Sequence, residues 1–240
     1  MTARKLVPAA LLFDLDGTLA DSFEGIQYAL DAALREEGLP EFDLAWVRGH
    51  VGRGAAALVR DAVGAQPGEA IVRAVGARFS DHYRSTYLER TPALPHAADV
   101  LALVSKRTGG KVAVVSNKYE DLSREWLRHV GLAQHVAVVV GPDTYGVRKP
   151  DPGALLPVLR GFGVEPAEAL VIGDMEVDVA AALAVGAPMV GVQSDPAAAQ
   201  SLLDAGATAV LPALRALLGW LEDNGRGWRY DAPVPGEGER

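Results

Sequence analysis

Five short aliphatic runs punctuate the chain, each stopping at a polar or glycine position: "AALLF" before Asp14, "KVAVV" before Ser116, "VAVVV" before Gly141, "ALVI" before Gly173 and "PMVGV" before Gln193. Runs this short, without polar alternation, fit strands buried on both faces, as in a parallel sheet. Between them the apolar spacing becomes helical. Leu122, Trp126, Leu127 and Val130 form one stripe closed by Gly131. Leu155, Leu156, Leu159 and Phe162 form another, opened by Asp151 and Pro152 and closed by Gly163. Asp195 and Pro196 open a further helix ending near Gly206, and Pro212 suits the start of a last one. Strand and helix alternate, which predicts a doubly wound, Rossmann-like α/β core with a parallel sheet.

Residues 20–92 break the rhythm, because no aliphatic strand run occurs there. Asp21 and Glu24 are spaced as a capping box, with Asp21 the better cap candidate; Ile26, Leu30, Ala33 and Leu34 make a helix face that Gly38 and Pro40 end. Ile71, Val75, Phe79, Tyr83 and Tyr87 recur every four residues, predicting a long helix whose apolar side serves packing rather than a cofactor. The expected organisation is a core of residues 1–19 and 93–222, an all-helical insert over 20–92, and a loose tail over 223–240 in which Trp228 and Tyr230 are candidates for docking.

At 240 residues and 49% hydrophobic, the chain can bury a substantial core. Its 31 acidic and 23 basic residues give a formal charge of −8, which argues against nucleic acid as a partner. The absence of cysteine excludes disulfides and thiolate metal sites. No apolar stretch reaches the roughly 20 residues of a membrane span, and the first apolar run meets two aspartates before reaching the length of a signal sequence. The expectation is a cytoplasmic monomer or homodimer acting on a small molecule, with neither membrane nor nucleic acid as partner.

The candidate chemistry lies where strands end. Asp14 and Asp16 would share one face if the strand stayed extended, and two carboxylates so close raise a pKa or recruit a cation. Taken alone, such a pair favours a plainer reading, one acid capping a helix and the other exposed. Later strand ends change this, because ligands of open parallel sheets bind at the carboxyl ends of strands. "AVVSNK" delivers Ser116 and Asn117, "GVRKPDP" delivers Lys149, and "LVIGDMEVD" delivers Asp174 and Asp178. Four carboxylates converging with a lysine would suit a hard divalent cation such as Mg²⁺, with Ser116 donating to a phosphate oxygen.

"DLDGT" at 14–18, "SNK" at 116–118, "RKPDP" at 148–152 and "GDMEVD" at 173–178 together resemble, in order and spacing, the four motifs of haloacid-dehalogenase-like hydrolases. The helical insert is similar to the cap of subfamily I members. The resemblance implies that Asp14 is the nucleophile attacking phosphorus and that Asp16 protonates the leaving oxygen and later activates water. It implies Mg²⁺ held by Asp14, the backbone carbonyl of Asp16, and Asp174, with Asp178 supporting the shell, and Lys149 neutralising nucleophile and phosphate. Ser116, Asn117 and the backbone after Asp16, at Gly17 and Thr18, would hold the phosphate.

An acid at position 16 is what the phosphatases and phosphomutases of that family have and its dehalogenases lack. The absence of lysine from residues 20–95 weakens a β-phosphoglucomutase-type reading and a phosphonate hydrolase reading. The segment "HVGRGAAALV" is similar to one that closes over the site in phosphoglycolate phosphatases, or else is a plain glycine turn. Gly52, Arg53 and Gly54 are therefore candidates for substrate selection, Arg53 either reaching a substrate carboxylate or lying in solvent, whereas Arg48 and Arg60 are expected in solvent. Met175 and His96 depart from the family pattern, where serine or threonine and glycine are usual. The histidines His50, His82, His96, His129 and His135 show no ligand spacing. The expected activity is Mg²⁺-dependent hydrolysis of a small phosphomonoester, phosphoglycolate first. The alternatives are a phosphomutase, a pyrophosphatase, a sugar or nucleotide phosphatase, and a noncatalytic binding module.

Overall fold

The computed structural model describes residues 8–66 and 68–224. The first strand, β1 (Ala10–Phe13), is followed by four helices, α1 (Phe23–Glu36), α2 (Leu44–His50), α3 (Ala55–Val63) and α4 (Gly68–Arg90). The alternating part then runs α5 (Ala97–Arg107), β2 (Val112–Val115), α6 (Glu120–His129), β3 (Val138–Val140), α7 (Leu156–Phe162), β4 (Ala169–Gly173), α8 (Glu176–Val185), β5 (Met189–Val192), α9 (Pro196–Ala205), β6 (Ala209–Leu211) and α10 (Ala216–Asn224). Among the described residues the sheet is entirely parallel, in the order β3-β2-β1-β4-β5-β6. No helix of the described residues is long and apolar enough to cross a membrane.

The aliphatic runs form strands because both of their faces are covered. Leu11 and Phe13 point into one apolar core with Val112, Val114, Leu170 and Ile172, and Ala10 and Leu12 into the other with Ala113, Val115, Ala169 and Val171. The pairing Leu11 with Val112 and Leu170 fixes the register, since a one-residue slip would exchange the two faces. Order reverses at β1: the chain steps outward from β1 through β2 to β3, then returns to lay β4 on the other side of β1. That switch point is where open α/β sheets place a ligand crevice.

The four helices after β1 pack mainly through α1 and α4, burying Ile26, Leu30, Ala33 and Leu34 against Val75, Phe79, Tyr83 and Tyr87. The chain crosses into and out of this unit side by side: Asp21 N donates to Pro92 O over 2.9 Å and Leu94 N to Leu19 O over 2.8 Å. The return crossing ends at His96, whose φ of 66° lies in the left-handed region that favours glycine.

Several local expectations are corrected. Ser22, not Asp21, precedes α1, and it makes no side-chain cap bond. The Asp21 backbone is bound to the returning chain and its carboxylate lies 3.9 Å from Arg48. The helix opened by Asp151 and Pro152 is split into a 3-10 turn, Pro152–Ala154, and α7, although Asp151 caps the turn as expected by accepting from Gly153 N. The last helix starts at Ala216 rather than Pro212, because residues 209–211 form β6 and 212–215 turn back from it. α10 continues to Asn224, and the expected docking of Trp228 and Tyr230 lies outside the described residues.

Candidate active site

Asp14 stands one residue beyond β1 and remains in the sheet's ladder, its N–H donating to Ile172 O over 2.8 Å. Ser116 is held the same way beyond β2, through Val140 O at 3.0 Å. Asp174 follows β4 directly, and Asp178 sits in the first turn of α8, where its Oδ2 accepts from Met175 N over 3.2 Å and so closes the helix start. Glycines make room for these acids. A Cβ at Gly17, whose φ is +85°, would fall 2.1 Å from Asp174 Oδ2, and one at Gly173 would fall 2.4 Å from the Asp178 carboxyl.

The carboxylates of Asp14, Asp174 and Asp178 bring one oxygen each to within 4.8 Å of one another, all buried. Lys149 enters among them, its Nζ 2.6 Å from Asp178 Oδ1 and 2.9 Å from Asp14 Oδ1. Asn117 fixes the backbone of that lysine: its Oδ1 accepts from Lys149 N at 2.9 Å while its Nδ2 donates to Lys149 O at 3.1 Å.

Three acids against one lysine leave surplus negative charge in a dry place. Burial, opposed by Lys149 and reinforced by Asp178, raises the Asp14 carboxyl to about 6. Burial, with Asp14 and Asp178 beside it, holds Asp174 well above the ordinary carboxylate range. Lys149 would be lowered by burial, but Asp14 and Asp178 together keep it raised and charged. Asp14 Oδ1 is buried and lacks an aligned hydrogen-bond donor despite the nearby ammonium. Surplus charge, hard oxygen donors and an unsatisfied carboxylate oxygen fit a divalent cation of the Mg²⁺ kind.

Asp16 departs from the expected convergence. Its side chain turns away from the other three acids and pairs with Lys118 Nζ at 2.5 Å, so three carboxylates gather rather than four, and Asp16 could join a cation only through its backbone. Lys118 had no assigned role in the sequence. Its side chain is almost enclosed, and Tyr83 of α4 places its ring 5.0 Å beneath the ammonium. Burial would lower this lysine, but Asp16 and Tyr83 hold it above its usual value. Its one hint in the sequence is its spacing, two residues beyond Ser116.

The groups expected to contact phosphate are partly engaged within the protein. The N–H groups of Gly17 and Thr18 close the turn after Asp16 by donating to Ala20 O at 2.8 Å and Leu15 O at 3.2 Å, and the Thr18 hydroxyl donates to Asp174 Oδ1 at 3.0 Å. The Asn117 amide is likewise committed to backbone groups, which leaves Ser116 as the side chain of that set facing open space.

That space is a cavity of about 400 Å³ bounded by Asp14, Asp16, Ser116, Asn117 and Lys118 on the sheet side and by α3 and α4 opposite. Gly52 and Gly54 line it, and their turn rests on the core: Gly52 O accepts from Asn117 Nδ2 at 2.8 Å, and a Cβ on Gly52 would strike Met175 Sδ at 2.3 Å. Arg53 points elsewhere. It pairs with Asp61 on α3 and is more than half exposed, so of the two roles open to it, reaching a substrate carboxylate or lying in solvent, its position matches the second. Arg60 is exposed and paired with Glu69 at the cavity edge, and Arg48 lies over the Phe23 ring, half exposed. Asp174 faces a separate cleft shared with Gly17, Arg48, His96 and Met175, so the acid cluster opens on two sides.

The family model described as haloacid dehalogenase-like hydrolase matches residues 11–192. The chain is 38% identical to a phosphoglycolate phosphatase of Rhodospirillum rubrum, over 90% of this chain and 91% of that one. It is 37% identical to a phosphoglycolate phosphatase of Aquifex aeolicus, over 73% and 80%. Its fold superposes on a hydrolase of the haloacid dehalogenase-like family from Streptococcus pneumoniae with a TM-score of 0.79 at 19% identity, covering 90% of this chain and 99% of the other.

Proposed function

The chain belongs to the haloacid dehalogenase-like hydrolase family, and from that premise we propose that it is a Mg²⁺-dependent phosphatase working through an aspartyl-phosphate at Asp14, with phosphoglycolate its leading substrate. The observation that carries the reading is the buried group of Asp14, Asp174, Asp178 and Lys149 at the sheet's switch point, beside a cavity that also presents Asp16 and Ser116. The choice of phosphoglycolate rests on the activity for which the Rhodospirillum and Aquifex relatives are named.

In this reading Asp14 attacks phosphorus, forming one P–O bond as the bond to the alcohol oxygen breaks, and Asp16 gives that oxygen its proton. Water then attacks the aspartyl-phosphate, Asp16 takes the proton, and inorganic phosphate leaves. The two acids suit different roles because their surroundings differ: Asp14 is enclosed among like charges, whereas Asp16 sits at the cavity wall against Lys118. Ser116 donates to a phosphate oxygen, and Lys149 offsets the charge of nucleophile and phosphate. A bound Mg²⁺, held by Asp14, Asp174 and the Asp16 carbonyl with Asp178 in support, would neutralise phosphate oxygens as charge shifts. Lys118 is the enclosed cation within reach of a substrate carboxylate, and residues 20–92 act as the cap that excludes water.

Phosphate release from phosphoglycolate, followed with Mg²⁺ and then with EDTA, tests the proposal. Turnover that requires the metal is expected. Turnover indifferent to EDTA, or none on any phosphoester while Mg²⁺ binds, would contradict it.

A further inference from the structure

The cavity extends well beyond the charged end. Opposite Asp16 and Lys118 it is walled by Leu58 and Val59 of α3 and by Val72, Gly76, Phe79 and Tyr83 of α4. The α4 positions recur at three- and four-residue spacing and so present one face of the helix to the space. The cations at this end are spoken for or peripheral: Arg60 is exposed and paired with Glu69, Arg84 is paired with Asp121, and Arg73, which also lines the cavity, is exposed. A second anion placed deep in the lobe would lose its hydration without gaining a partner, whereas hydrocarbon there would be favoured.

Gly76 is the second observation. A glycine inside a helix costs about 1 kcal/mol relative to alanine. Packing does not demand it here, because an added Cβ would meet nothing nearer than Val59 Cγ1 at 3.9 Å. What the missing side chain does is leave the lobe between α3 and α4 open. A two-carbon ester is small beside a cavity of about 400 Å³.

We propose that the same site hydrolyses phosphomonoesters with an unbranched apolar body, primary alkyl phosphates, whose chain lies in the lobe between α3 and α4. This rests on the phosphatase reading above and adds a substrate class to it. The step is unchanged: the ester and water yield the alcohol and inorganic phosphate, with Asp14 and Asp16 acting as before.

The test is kcat/KM for ethyl, butyl and hexyl phosphate, whose leaving groups are nearly alike, measured with Mg²⁺ beside phosphoglycolate. Burying a methylene is worth about 0.8 kcal/mol, so kcat/KM should rise about fourfold for each methylene that enters the lobe. In Gly76→Leu, which fills the lobe while favouring the helix, the ratio of hexyl to ethyl phosphate should fall toward one. If wild-type protein hydrolyses phosphoglycolate but its alkyl series is flat or declining, the lobe is not a substrate site and the phosphatase reading survives. If neither phosphoglycolate nor any alkyl phosphate is hydrolysed, both readings fail together.

Discussion

The rim of the parallel sheet and the helices above it hold their charges in opposite ways. At the rim Asp14, Asp174, Asp178 and Lys149 are each at most 8% exposed, and they touch one another rather than water. On the helices, Arg53–Asp61, Arg60–Glu69 and Arg78–Glu36 are ion pairs in solvent. An exposed pair contributes about 0–1 kcal/mol, whereas removing one partner of a buried pair costs about 3–5 kcal/mol. The rim therefore concentrates the groups that the proposed chemistry needs and cannot easily vary them. The helices can change charge and shape at little cost, which suits a surface that selects substrates.

Lys149→Ala should divide the two regions most sharply. It strands three buried carboxylates, so the EDTA-treated protein should lose about 3–5 kcal/mol in denaturant titration and turnover should become severely impaired. Near-normal stability and rate would mean that the rim charges are screened like those of the helices.

Acidity offers a second separation. Folding raises the Asp14 carboxyl from the ordinary aspartate range of about 4 to about 6, so the folded state binds the extra proton between those limits. Stability is then fully retained below about pH 4 as far as this group is concerned, and lost as pH rises through about 6. The shift corresponds to a contribution of about 3 kcal/mol. Metal-free wild type should therefore melt higher at pH 5 than at pH 7 relative to Asp14→Asn, and Mg²⁺ should reduce that difference. An identical pH dependence in the two proteins would contradict the charge surplus.

Lys118→Met probes the seam, where a lysine of the core meets Tyr83 of α4. Without the ammonium, Asp16 loses the partner that positions it, and kcat should fall on the order of 10²-fold, the low end for a general acid. A fall in kcat with KM little changed, partly restored in Lys118→Arg, would distinguish positioning of Asp16 from simple loss of packing. An unchanged kcat would remove Lys118 from the account. The smallest effect belongs to Arg53→Ala. Because its partner is the exposed Asp61, kcat/KM for phosphoglycolate should stay within about twofold and stability within about 0.5 kcal/mol.

The same contrast governs what the sequence discloses. Strands covered on both faces are continuous aliphatic runs, so β1 to β5 are legible, and the residues at their ends mark the rim. β6 escapes because it is three residues long and half-exposed along its length, close to turn composition. Asp14, Ser116, Lys149, Asp174 and Asp178 announce themselves by position after a strand or at a helix start. Side-chain aim does not. Asp16 is drawn off by Lys118, 102 residues away, and Arg53 by Asp61, eight residues away across the start of α3. Neither attraction is visible in local spacing, and neither is the committed turn that occupies the N–H groups of Gly17 and Thr18. His96 is the converse case, a residue whose identity gives no sign of the left-handed backbone it adopts.

The central claim is that Asp14 takes the phosphoryl group. Rapid acid quench of the Mg²⁺-loaded protein during turnover of phosphoglycolate, followed by borohydride reduction and peptide mass spectrometry, reads it directly. The account predicts conversion of the residue at position 14 to homoserine, dependent on substrate. Turnover with position 14 unmodified, or with the label on Asp16 or another side chain, would contradict it.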